Sequence, residues 1–100
     1  MPEALEITTF KLLKGLTRAD FIAANADIDD YLRRQPGFRW RRIAEDKDGT
    51  IIDIVAWASA ADGRRSATGI MTEMAESPVH ATIDQGTVEF RLVPVRHHVS

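Results

Sequence analysis

One hundred residues with 44% hydrophobic content suffice for one domain around one core, and the chain has no cysteine, which excludes disulfide frameworks, thiolate nucleophiles and Cys-ligated metal. The formal net charge of −2 excludes a global positive field of the kind that gathers nucleic acid, and no apolar run approaches the ~18 residues of a membrane span. No basic segment leads into an apolar stretch at the N-terminus, so a soluble, cytoplasmic protein without membrane partners is expected.

Residues 5–13 (Leu-Glu-Ile-Thr-Thr-Phe-Lys-Leu-Leu) read as a first strand, stopped by Lys14-Gly15. Its alternation puts Ile7 and Thr9 on one face and Thr8, Phe10 and Leu12 on the other, so both faces carry apolar groups. One layer of helices covers one face of a sheet. A second copy of the chain is the economical cover for the other. Thr17 with Asp20 forms a variant capping box, and Phe21, Ala24, Ile28, Tyr31 and Leu32 recur at helical spacing until Gln35-Pro36-Gly37. Asp27, Asp29, Asp30, Arg33 and Arg34 take the wet side of that helix.

Phe38 to Ile43 and Ile51 to Trp57 are rich in β-branched and aromatic residues and flank Asp46-Lys47-Asp48-Gly49, which predicts a hairpin. Ser59 with Asp62 caps a second helix whose stripe is Ala67, Ile70, Met71 and Met74. Ser77-Pro78 restarts a short helical segment carrying His80 and Ile83, since proline is favoured at a first helical position. Residues 87–95 alternate as a last strand, and 96–100 form a polar, frayed tail. The order is βαββαβ: an α+β, ferredoxin-like domain with an antiparallel sheet and a core over about residues 5–95.

The strand-Lys14-Gly15 turn before a capped helix, Gln35-Pro36-Gly37-Phe38 at the entry to the second strand, Val55-Ala56-Trp57-Ala58-Ser59 at the exit of the third, and Ser77-Pro78-Val79-His80 resemble the antibiotic-biosynthesis-monooxygenase-like family. That resemblance implies a dimeric α+β barrel, a homodimer formed through sheet faces, and a pocket between helices and sheet in each subunit. It implies no single reaction, because the family spans cofactor-independent oxygenases of aromatic polyketides, haem-degrading enzymes and signal-related proteins. The haem-degrading members carry an Asn on the first strand and a Trp on the second long helix, about ten residues before a His. Here Thr8 holds the first position, Ile70 stands ten residues before His80, and the second helix has no Trp, so haem degradation is not expected.

Glu6, Thr8, Phe10 and Leu12 should face the pocket the resemblance implies. Thr8 can orient a ligand carbonyl, and Glu6 can accept a proton if burial raises its pKa; otherwise one is a half-buried strand residue and the other a rim charge. An imidazole suits proton transfer near neutrality, which makes His80 a catalytic candidate and otherwise a rim or helix-surface group. Trp57 and Trp40 offer flat surfaces for a ligand or for core and dimer packing, and Met71 and Met74 serve as pocket wall or as core. No set of convergent zinc ligands emerges, so no metal is expected.

Arg33, Arg34, Arg39, Arg41 and Arg42 form a basic cluster offset by acidic neighbours. The aromatic third-strand signature of RNA-recognition domains is missing, which argues against nucleic acid. Asp53, Glu89 and Arg91 interrupt apolar strands; Asp53 or Glu89 could pair with Arg91 or Arg41 across a dimer interface, or a carboxylate could face the pocket unpaired as a base. Two functions compete. One is a monooxygenase without a protein-bound cofactor, acting on a small, flat, mostly apolar molecule through His80, Glu6 and Thr8, with Phe10, Trp57, Met71 and Met74 holding the substrate. The other is a dimeric barrel that binds a small ligand, or is closed, and performs no chemistry.

Overall fold

The computed structural model describes residues 2–100. Strands β1 (Ala4–Phe10), β2 (Phe38–Glu45), β3 (Ile51–Trp57) and β4 (Glu89–Pro94) form one antiparallel sheet in the order β2-β3-β1-β4. Three helices, α1 (Arg18–Ala23), α2 (Ala26–Arg33) and α3 (Ala60–Met71), join them in the expected ferredoxin-like order. In the register, Thr8 stands opposite Asp53 on one side and Phe90 on the other. Glu6, Thr8 and Phe10 therefore share a face with Asp53, Val55 and Phe90, while Ile7, Ile54 and Arg91 share the other.

The hairpin turn closes where Gly49 adopts φ 85°, with Asp46 N–H donating to the Thr50 carbonyl at 2.8 Å and Gly49 N–H to that of Asp46 at 3.0 Å. At the other end of the hairpin a bulge shifts the register between Phe38 and Trp40. Phe38 thereby packs edge-on against Trp57, with ring centroids 5.8 Å apart, whereas Trp40 lies on the opposite face under the Arg42 guanidinium, 4.7 Å away. The core cluster gathers Phe10, Phe21, Ile28, Tyr31, Leu32, Ile51, Val55, Trp57 and Val79 between the helices and that one face of the sheet. Among the described residues no helix is long and apolar enough to cross a membrane.

Three elements depart from the sequence expectation. The strand expected over 5–13 ends at Phe10, because Lys11 N–H donates to Thr87 Oγ1 at 2.8 Å, and Leu12 then bridges to Ile83. The single helix expected after Thr17 is broken at Asn25. There the side-chain Nδ2 donates to the Phe21 carbonyl at 2.6 Å and the Asn25 N–H turns instead to Ile22, so a side chain has taken the acceptor that would have continued the helix. The second long helix ends at Met71, and its buried positions are Gly63 and Ser66 rather than the expected stripe. A Cβ at Gly63 would come within 3.0 Å of side-chain carbons of Trp57 and Leu92, so the helix lies too close to the sheet for larger residues.

Candidate active site

A cavity of about 540 Å³ opens between the helices and the helix-facing side of the sheet. Strand alternation delivers Glu6, Thr8 and Phe10 to its floor together with Asp53 and Arg41 from the neighbouring strands; Asn25, Val79 and His80 come from the helical layer. The volume suits a small organic ligand.

Glu6 is the chemically distinctive group. It is 7% exposed, and the Trp57 indole N–H donates to its Oε1 at 2.8 Å. Burial raises its pKa to about 7; the Trp57 N–H pulls the other way, the Asp53 carboxylate raises it further, and Arg41 partly offsets that. A carboxyl poised at neutrality exchanges protons in both directions.

Beside it, Arg41 grips both oxygens of Asp53, from Nε at 3.0 Å and from Nη2 at 2.6 Å, and donates from Nη1 to Asp29 Oδ1 at 2.9 Å. The sequence allowed such a pair across a dimer interface as one of several arrangements. The pair forms instead within the chain on the pocket floor, because Arg41 and Asp53 both lie on the helix-facing side, while Glu89 and Arg91 lie on the other. Asp53 is thus compensated and is not the unpaired base that the sequence left open.

His80 lines the cavity, yet its Nε2 lies 3.2 Å from the Ile70 carbonyl and 3.0 Å from that of Met74. Carbonyls only accept, so Nε2 carries the hydrogen and the imidazole closes the C-terminal end of α3. Nδ1 is left as the acceptor of the neutral ring. Thr8, Phe10 and Met71 also line the cavity, Met71 being 64% exposed.

Two residues expected to hold substrate do not form the wall. Trp57 is 0% exposed within the core and reaches the cavity through its bond to Glu6, and Met74 packs against the core cluster. Sequence reasoning missed Asn25, 1% exposed in the wall; the signal was a residue that favours caps and turns placed in the middle of a helical pattern. Among the described residues no group of three or more His, Cys, Asp or Glu could hold a metal ion.

No family model and no curated protein matches the chain in sequence. Solved structures do match in fold. SnoaB, a cofactor-independent oxygenase from Streptomyces nogalater, aligns with 99% of this chain and 98% of its own at TM-score 0.76 and 20% identity. The monooxygenase ActVA-Orf6 of Streptomyces coelicolor, in complex with nanaomycin D, aligns over 99% and 92% at TM-score 0.74 and 17% identity. A Chloroflexus aurantiacus protein provisionally assigned as an antibiotic biosynthesis monooxygenase aligns over 97% of both chains at TM-score 0.67 and 20% identity. The chain has the antibiotic-biosynthesis-monooxygenase-like fold, in agreement with the resemblance read from its strand and turn motifs.

Proposed function

We propose that the protein is a monooxygenase that works without a protein-bound cofactor on a flat, mostly apolar molecule bearing an acidified C–H. The observation that carries this reading is the buried Glu6 carboxyl, with a pKa of about 7, in the wall of a cavity of about 540 Å³. The oxygenases with the same fold support it. In the reaction, Glu6 takes a proton from a CH₂ flanked by carbonyl or aryl groups, with Trp57 fixing one carboxylate oxygen. The carbanion's electron pair reduces O₂ as the C–O bond forms, and Glu6 returns its proton to the distal oxygen. The resulting hydroperoxide loses water to give a C=O, so that R₂CH₂ and O₂ become R₂C=O and H₂O. Thr8 orients a substrate carbonyl, and His80 takes the second C–H proton at Nδ1 as the O–O bond breaks and passes it to the departing hydroxide, which leaves as water.

The other face of the sheet, where Leu5, Ile7, Trp40, Ile52, Ile54 and Val93 remain only half-buried, packs in this reading against a second copy of the chain. Ligand binding without turnover has one observation on its side: Arg41, Asp53 and His80 Nε2 are all committed to structural bonds, leaving only Glu6 and the Nδ1 of His80 for proton chemistry. Anthrone under ¹⁸O₂ separates the two readings. The oxygenase should consume one O₂ per anthrone and yield anthraquinone with one ¹⁸O, the second appearing in water. Rates equal to buffer for anthrone and for a panel of polyketide-like phenols would leave the binding role.

A further inference from the structure

Asn25 is 1% exposed and lines the cavity, and its Oδ1 has no hydrogen-bond partner among the described residues. Its orientation is fixed by chemistry. The Phe21 carbonyl 2.6 Å from the other end of the amide can only accept, so the nitrogen must face it and the oxygen is the free end. A buried acceptor without a donor is costly, and a site that keeps one is built to receive a donor.

Apart from the Thr8 hydroxyl, which is free to donate to a carbonyl, the donors named in the cavity wall are engaged in bonds within the chain. Nε, Nη1 and Nη2 of Arg41 each donate to Asp53 or Asp29, and the Gln85 side-chain N–H donates to the His80 carbonyl. Glu6 adds a further acceptor once pH exceeds about 7, where its carboxyl is ionised.

We infer that Asn25 Oδ1 is the anchor for a hydroxyl of the ligand, so that the site selects a molecule presenting an O–H donor over the same skeleton presenting an ether or a carbonyl. This deepens the oxygenase reading and rests on the same cavity being the ligand site.

Binding measured under nitrogen tests the anchor separately from turnover. The wild-type chain should bind 1-naphthol about tenfold or more tighter than 1-methoxynaphthalene, which has the same ring but no donor. Asn25→Ala should bring the ratio of the two affinities close to unity. A ratio is used because the substitution also removes the bond to Phe21 and loosens the helix break for both probes alike. Should that variant not fold, the wild-type Asn25 ¹³Cγ resonance decides: it should move downfield with 1-naphthol and not with the ether. Equal affinities for the two probes, an unchanged ratio in Asn25→Ala, or a ¹³Cγ resonance indifferent to the hydroxyl would each overturn the proposal and leave Oδ1 to solvent. Failure of the anthrone reaction alone would leave the anchor standing.

Discussion

The indole N–H of Trp57 and the carboxyl of Glu6 meet 2.8 Å apart across neighbouring strands, at 0% and 7% exposure. The register explains the meeting: Ala4 pairs with Trp57 and Glu6 with Val55, so the two side chains are diagonal neighbours on one face. Tryptophan can only donate, so this bond holds the carboxyl in place whether or not it carries a proton.

Because Glu6 has its pKa raised from 4.5 to about 7, the folded state binds more protons than the unfolded one between those values. Stability should therefore be highest below pH 4.5 as far as this group is concerned. It should fall as pH rises through the window and level off above about 7, by up to about 3 kcal/mol in total. Thermal melts of wild type and Glu6→Gln between pH 4.5 and 8 check the sign. The variant should lack this loss and be the more stable of the two at pH 8.

Replacing Trp57 by Phe keeps most of the packing and removes the donor. The bond lowers the Glu6 pKa, so its loss should move any activity governed by ionised Glu6 to higher pH. A stability cost of about 1–2 kcal/mol should accompany it at pH 8, where Glu6 is ionised. Denaturant titration together with a pH–rate profile separates the two effects.

The Arg41 and Asp53 side chains are 10% and 13% exposed, so removing either partner strands a nearly buried charge. Arg41→Met or Asp53→Leu alone should cost about 3–5 kcal/mol, and the double variant should be more stable than either single one. Urea midpoints of the three variants form the cycle. Simple additivity would show that the two charges do not depend on each other.

Much of this arrangement is legible in the amino-acid sequence. Alternation in 5–13 placed Glu6, Thr8 and Phe10 on one face, and the caps at Thr17 and Ser59 mark the observed helix starts. What escaped depended on contacts between elements. The bulge after Phe38 decides that Phe38 rather than Trp40 meets Trp57, and a one-residue slip leaves no trace in the hydrophobic pattern. The role of Trp57 as the partner of Glu6 needed the register of residues 51 positions apart. Gly63 and Ser66 were invisible as core because closeness of packing, not hydrophobicity, put them there.

The half-buried outer face of the sheet, with Ile54 near its centre, should associate with a second copy. Sedimentation at micromolar concentration should give the mass of a dimer, and Ile54→Arg should shift it to monomer by forcing a charge into the interface. A monomeric wild type would remove the second subunit from the account.

The central claim is that Glu6 is the proton acceptor of an oxygenase, and the pH dependence of kcat/KM with anthrone tests it most directly. In the wild type the rate should rise as pH increases through about 7, the value at which Glu6 ionises, and reach a plateau above it. Glu6→Gln should be at least about 100-fold slower on that plateau, without the inflection near 7. A variant that keeps the wild-type rate and the same inflection would show that Glu6 is not the base and would contradict the account.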